Sequence, residues 1–173
     1  GTMMMIISLS LGAIVGEMLD LDGKMIHFGE WLKIKTGNAK DKKFVDGFVT
    51  ASLTVCIGAM AVVGSIEDGI HADHSILFAK AILDFVIILV MSATLGKGCL
   101  FSFVPVGLFQ GTITLLASLI SPFITASAMS ALSYIGSILI FCVGVNLVFN
   151  TKIRVANLLP ALIVACICTV FPL

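Results

Sequence analysis

The chain has 173 residues, of which 59% are hydrophobic and 12% charged, with a mean hydropathy of +1.16 and a formal net charge of zero. This composition excludes an ordinary soluble domain, and the balanced charge gives no indication of a nucleic-acid partner. We therefore expect a single all-α domain over residues 1–173, a polytopic integral membrane protein with the lipid bilayer as its main partner.

Six apolar segments predict transmembrane helices, because each is about as long as the hydrocarbon core of a bilayer requires. In chain order they cover residues 3–19, 44–64, 75–96, 98–120, 126–149 and 153–171. They form either three hairpins or an inverted repeat of three plus three helices, and the sequence leaves both open. After the first segment, a stripe of Leu21, Met25, Phe28 and Leu32 predicts an amphipathic helix on the inner membrane surface.

The basic residues fall in alternate connections between the predicted segments. They are Lys24, Lys33, Lys35, Lys40, Lys42 and Lys43 after the first segment, Lys97 after the third, and Lys152 with Arg154 after the fifth. The connections 65–74 and 121–125 contain no Lys or Arg. Because cytoplasmic loops of membrane proteins are enriched in these two residue types, the pattern predicts both chain termini outside the cytoplasm.

The third segment carries Lys80 and Asp84 inside an otherwise apolar run. Each charge costs about 2.5 to 3.5 kcal/mol near the centre of a membrane helix, so such a pair is a functional-site hypothesis. The i, i+4 spacing places both residues and Ser92 on one face. The alternative is an intrahelical ion pair that only neutralises itself. Against it, Lys before Asp is the weaker order, and Lys80 can extend to the interface while Asp84 cannot.

Two other segments offer neutral polar groups. Thr50 and Thr54 lie on a stripe of small residues that favours close helix packing, but their hydroxyl oxygens could also bind a cation or Asp84. Gln110 falls at a depth similar to Asp84, in a segment where Pro105 and several glycines predict a broken helix. The predicted ion- or substrate-binding residues are therefore Asp84, Lys80, Thr50, Thr54 and Gln110.

One loop gathers residue types that bind metals: Glu67, Asp68, His71, Asp73 and His74. Their spacing matches no specific metal motif, so we predict a solvated loop and no metal site. The sequence has no Ser/His, HExxH or paired-carboxylate constellation, and its three His residues lie outside the predicted spans, which indicates neither an enzyme nor a cofactor. The five cysteines are odd in number and lie in apolar segments, so we expect no disulfide framework.

Several blocks of the sequence resemble one bacterial family. They are FVTASLTVCIGAMAVVGSIEDG, the segment with Lys80 and Asp84, SATLGKG, FQGTITLLA and KIRVANLLPAL. On these blocks the chain is similar to the YdfK/YqgA family of inner-membrane proteins, which has no established activity, with Phe109 in place of Tyr and Phe85 in place of Gly. The resemblance implies a location in the bacterial inner membrane. It also implies that a further hydrophobic hairpin precedes this region in the family.

Two functions fit these observations. We favour a small secondary transporter or channel for an ion or small polar solute, in which Asp84 binds a cation or proton and Lys80 balances it or binds an anionic group. The alternative is a non-transporting membrane scaffold or accessory subunit in which Lys80 and Asp84 form a structural ion pair. Neither hypothesis fixes the oligomeric state, and a homo-oligomer is compatible with both.

Overall fold

A computed structural model describes residues 2–170, apart from the side chains of Thr2, Phe123 and Val170. Within that range the chain forms helices, turns and loops but no strand, which confirms the all-α prediction. The α-helices are α1 (Thr2–Leu19), α2 (Leu21–Lys35), α3 (Phe44–Cys56), α4 (Ala59–His71), α5 (Ser75–Leu95), α6 (Phe103–Leu115), α7 (Ala117–Ile120), α8 (Ala126–Phe149) and α9 (Pro160–Val170). Three short 3-10 helices cover Lys97–Ser102, Ser121–Phe123 and Val155–Leu158.

Three helical segments are long and apolar enough to cross a membrane. They are α5, α8 and Lys97–Leu115, in which a 3-10 turn leads into α6. Two bent pairs could each form one more span: α1 with α2, at an angle of 48°, and α3 with α4, at 63°. The described residues therefore hold three to five candidate spans, and the prediction of six is wrong.

The predicted sixth span, residues 153–171, does not form a helix of spanning length. It starts as a 3-10 turn, and α9 has 11 residues, while Phe171 lies outside the described part of the chain. α8 ends at Asn150, which adopts a left-handed backbone with φ 53°. The side chain of Asn146 then accepts a hydrogen bond from the backbone N–H of Ile153 at 3.0 Å and donates to its carbonyl at 2.8 Å. These bonds hold the connection as a loop.

The second predicted span is interrupted. α3 ends at Cys56 and α4 begins at Ala59, so the continuous helix predicted over residues 44–64 does not form. Ile57 and Gly58 between them are extended, with ψ angles of 113° and 146°. Glycine lowers helix stability by about 1 kcal/mol relative to alanine, which makes this position a weak point. The break leaves carbonyl groups at the end of α3 without helical partners.

The break predicted near Pro105 is absent. α6 continues through Phe103–Leu115, and Pro105 lies in its first turn, where a missing N–H removes no helical hydrogen bond. The irregular backbone of this segment comes earlier, as a 3-10 helix that approaches the start of α3. A Cβ placed on Gly98 would overlap the carbonyl oxygen of Phe44. The broken helix predicted for the fourth segment is found in the second segment instead.

The predicted amphipathic helix forms as α2, but its apolar stripe faces the protein. The stripe from Leu21 to Leu32 packs into two clusters of buried apolar side chains. Trp31 and Ile34, which lie off the stripe, are 53% and 71% exposed. The stripe that predicted contact with the membrane surface is therefore a contact with the core.

α1 packs closely against α9 and the Val155–Leu158 helix before it, through small residues. A Cβ on Gly12 would overlap the backbone of Ala161, and a Cβ on Gly16 would overlap the carbonyl oxygen of Asn157. Ser8, one turn before Gly12 on the same face, is fully buried. The spacing of these three α1 residues is the small-xxx-small pattern that lets the backbones of two membrane helices come together.

The three basic connections meet at one end of the helices. Arg154 contacts Glu17 at 3.2 Å, and Asn157 Oδ1 accepts a hydrogen bond from the backbone N–H of Asp22 at 2.8 Å. The Lys97–Ser102 helix reaches the same end through its contact with the start of α3. The three connections thus lie near one another, and their placement on the cytoplasmic side stays a prediction.

Candidate ion site at the helix break

One face of α5 is turned toward the protein. Lys80 is 7% exposed and the side chain of Asp84 22%, whereas Phe78 and Phe85 are 69% and 67% exposed. Ser92, two turns after Asp84, is half-buried on the same stripe. The i, i+4 spacing therefore predicted the face correctly: the two charges point toward other helices and the aromatic side chains point outward.

The Lys80 ammonium occupies the break between α3 and α4. Its Nζ donates a hydrogen bond to the carbonyl oxygen of Val55 at 2.9 Å and forms an ion pair with the carboxylate of Asp84. Val55 is the next-to-last residue of α3, so its carbonyl is one of those that the break releases. A cation at this position also interacts favourably with the negative end of the α3 dipole.

This contact changes the interpretation of the two charges. The order of Lys80 and Asp84 indicated a weak pair, and the long lysine stem suggested that the ammonium would extend to the interface. Instead the ammonium points inward and the intrahelical pair forms. The physical reason is the second acceptor, because a hydrogen bond between a charged donor and an otherwise unsatisfied carbonyl contributes about 1.5–3 kcal/mol.

Thr50 and Thr54 lie on α3 just before the break, and both are half-buried. The Thr54 hydroxyl donates to the carbonyl oxygen of Thr50 at 2.8 Å, so its proton is used within the helix. Its lone pairs remain able to bind a donor or a cation. Among the described contacts neither hydroxyl bonds to Asp84, but Thr54 directly precedes Val55 and so borders the same break.

Gln110 lies on α6, which packs against α4 beyond the break. Its Nε2 is buried and has no hydrogen-bond partner in the described part of the chain, and the same holds for the hydroxyl of Ser92. Leaving a buried polar group unsatisfied costs about 1–3 kcal/mol. Water or a polar solute at either position would remove that cost.

Sequence reasoning misses the carbonyl group of Val55, because a backbone atom carries no side-chain signature. The available signal is Gly58, which lies in the middle of an apolar segment. Cys56 is also missed: it is the last residue of α3 and directly follows Val55, so it borders the break. The site therefore combines two predicted charges with a backbone group and a thiol at the helix break.

The residues predicted as a solvated loop lie mostly on the last turns of α4, which ends at His71, so the loop prediction is wrong for Glu67, Asp68 and His71. His71 Nδ1 lies 2.7 Å from Glu67 Oε2, and His74 pairs with Asp68. Across residues 2–170, no group of three or more His, Cys, Asp or Glu side chains is arranged to hold a metal ion. Four of the five residues that matched metal ligands by type thus contact one another, and Asp73 accepts hydrogen bonds from Ser75.

The fold and the site together define a class: a helical membrane protein in which one apolar helix is broken beside a largely buried charged pair. The chain belongs to the family described as protein of unknown function DUF554, whose model matches residues 1–170. This confirms the resemblance found in the sequence blocks.

Two curated relatives are similar to most of this chain, and the chain covers about two thirds of each of them. It is 28% identical over 160 residues to the uncharacterized membrane protein YdfK of Bacillus subtilis (strain 168), which covers 92% of this chain and 66% of YdfK. It is 28% identical over 165 residues to the uncharacterized protein YqgA of Escherichia coli (strain K12), covering 93% of this chain and 70% of YqgA. The chain thus spans about two thirds of their length. No solved structure matches the chain significantly.

Proposed function

We propose that the protein is a small secondary transporter or channel that moves an ion or a small polar solute across the bacterial inner membrane, with several helices crossing the bilayer. The observation that carries this proposal is the contact of Lys80, Asp84 and the Val55 carbonyl at the break between α3 and α4. Irregular backbone inside a membrane is tolerated only where it is buried in protein or lines a watery cavity. Many transporters bind their ions at such breaks, using released carbonyl groups and half-helix ends.

The surroundings of the contact support a polar path. The Asp84 side chain keeps 22% of its surface exposed, so the carboxylate has Lys80 on one side and room for another partner. Thr54 offers lone pairs at the end of α3. On α6, Gln110 has a buried amide nitrogen with no partner among the described residues, which is a place for a polar solute or water. We assign Asp84 the role of binding a cation or proton, Lys80 that of balancing its charge, and the oxygens of the neutral side chains that of supplying further ligands.

One observation favours the alternative, a non-transporting scaffold or accessory subunit. The Lys80 ammonium already has two acceptors, and a buried pair whose hydrogen bonds are satisfied is stable without any ligand. In that case the break between α3 and α4 is a feature of shape, and Lys80 holds α5 against it. The two functions differ in whether Asp84 is needed for anything beyond folding.

Flux in proteoliposomes tests the proposal. Purified protein would be reconstituted, and uptake of sodium, potassium and protons would be followed with ion-sensitive dyes under an imposed gradient. We expect flux with wild type and none with Asp84→Asn, provided that the variant elutes as a folded protein. Glu17→Gln is the matched control, because it neutralises an exposed carboxylate at the helix end and should keep wild-type flux.

The opposite result is equally clear. Wild-type protein that gives no more flux than empty liposomes for any of these ions, or an Asp84→Asn variant that retains full flux, would reject Asp84 as the ion-binding group. The scaffold function would then be preferred, with Lys80 and Asp84 as a structural pair.

A further inference from the structure

We propose that the Val55 carbonyl oxygen and the Asp84 carboxylate form a binding site for a monovalent alkali cation, and that the Lys80 ammonium is a tethered competitor that fills this site when the cation is absent. The proposal rests on the transport function inferred above and names the solute and the role of the lysine.

The ligands around the ammonium are those that a small hard cation requires. A backbone carbonyl and a carboxylate converge on one point, and both are oxygen ligands. The α3 helix ends there, so its dipole adds negative potential. The ammonium is a compact monovalent charge with three donors, and it stands where a dehydrated alkali ion would stand. Water and the Thr54 hydroxyl, one residue before Val55, can supply further oxygens.

The charge balance favours a monovalent over a divalent ion. The site holds one carboxylate, and its present occupant carries a single positive charge. A divalent ion would leave an excess positive charge in a low-dielectric region, where uncompensated charge is strongly unfavourable. Exchange of one monovalent cation for another leaves the charge at the site unchanged.

The position of Lys80 near the start of α5 gives the displaced ammonium an alternative location. Lys80 lies five residues from Ser75, the first residue of α5, which is about 7.5 Å of helix at 1.5 Å per residue. A four-carbon lysine stem that points back toward the helix N-terminus covers most of that distance and brings its charge toward the interface. Lys80 therefore has two positions, one capping α3 and one at the outer surface. The cation selects between them, because it binds only the state that the ammonium has left.

Cation-dependent stability of the full chain in detergent provides the test. Thermal unfolding would be measured in sodium, potassium or lithium chloride against choline chloride at equal ionic strength. Lys80→Met removes the competitor, so one of these ions should stabilise it with a half-saturating concentration at least about tenfold lower than for wild type. Asp84→Asn should show no such response. Lys97→Met, which neutralises an exposed lysine at the start of the Lys97–Ser102 helix, should behave like wild type.

A folded Lys80→Met variant whose stability is the same in every alkali cation as in choline would overturn the proposal. Because this variant can also fail to fold, alkylation of Cys56 in wild type gives a second measurement. Cys56 directly follows Val55 at the end of α3, so a cation bound at the Val55 carbonyl should change its alkylation rate saturably while leaving Cys166 on α9 unaffected. A rate that is independent of every alkali cation would equally overturn the proposal.

The two proposals fail separately. Flux in liposomes together with a cation-indifferent Lys80→Met variant and constant Cys56 alkylation would remove the alkali-cation site and leave the transporter standing. Saturable cation binding without flux would support the site and reject transport.

Discussion

Replacing both charges of the α5 pair by neutral side chains should leave the protein less stable than wild type. Lys80→Met strands Asp84 and removes the donor to Val55, so we expect a loss of about 3–5 kcal/mol, the range for breaking a buried pair. Adding Asp84→Asn removes the stranded charge, but the Val55 carbonyl still lacks its donor. An unsatisfied buried acceptor costs about 1–3 kcal/mol, so the double variant should recover only part of the loss.

The free energy of unfolding would be measured in mixed micelles as a double-mutant cycle. Choline should be the only bulk cation, so that no alkali ion replaces the missing ammonium. The exposed pair Glu17–Arg154, with side chains 56% and 59% exposed, serves as the control and should give a coupling below about 1 kcal/mol. A double variant as stable as wild type would show that the bond to Val55 contributes nothing. A double variant as unstable as Lys80→Met alone would show that an unpaired Asp84 carboxylate does not destabilise the protein.

Three further predictions concern packing, topology and pH. Gly16→Ala should lower the free energy of unfolding by about 1–3 kcal/mol through overpacking against the backbone of Asn157. Gly144→Ala on α8, which has no atom within 4 Å of the new methyl group, should not destabilise. An equal loss in both would contradict the close contact of α1 with the Val155–Leu158 helix. Single cysteines at Asp73 and Lys42, in a background without native cysteines, should be labelled by an impermeant thiol reagent from opposite sides, and labelling from one side would reject the predicted topology. Hydrogen bonds from the Ser75 hydroxyl and then from its backbone N–H hold the pKa of Asp73 below its usual range. The stability that these bonds contribute is therefore present above the ordinary pKa of the carboxyl group and is lost as pH falls through the lowered pKa. Asp73→Asn should reduce the loss of stability in acid melting curves, and curves identical to those of wild type would refute this prediction.

Long uninterrupted apolar runs were the most predictable part of the fold. α8 matches its predicted bounds, because Thr125 caps its first turn with a side-chain hydrogen bond and Asn150 ends it in a left-handed conformation. Both are residue types with known preferences at helix ends. α5 ends at Leu95, one residue before its predicted limit, because Gly96 follows it with a positive φ of 91°. Local chemistry decides these boundaries, so the sequence reveals them.

The helix break could not be located in this way. Pro105 is a strong local signal, yet it falls in the first turn of α6 and interrupts nothing. Gly58 is a weaker signal, yet the break forms there because Lys80 on another helix satisfies the released carbonyl of Val55. A tertiary contact compensates for the lost helical bond, and such a contact is not visible in the pattern of a single segment.

In the candidate site, too, the local geometry could be predicted from the sequence and the contacts between helices could not. The spacing of Lys80, Asp84 and Ser92 placed them on one face, because a helix fixes the direction of side chains four residues apart. Their partner on α3 depends on how two helices pack. Thr54 was predicted as a possible partner of Asp84, but its hydroxyl donates within its own helix, a local bond that competes with tertiary contacts.

The broken helix is held at both ends by one continuous neighbour. Gly98 lies against the carbonyl of Phe44 at the start of α3, and Gly69 near the end of α4 lies against the carbonyl of Thr114. Both contacts belong to the Lys97–Leu115 segment, while the middle of the broken helix is held by the ammonium group of α5. If the central contact is released, α3 and α4 still pack against the two ends of the Lys97–Leu115 segment. A change in the angle between α3 and α4 would then have to be accompanied by bending of that segment.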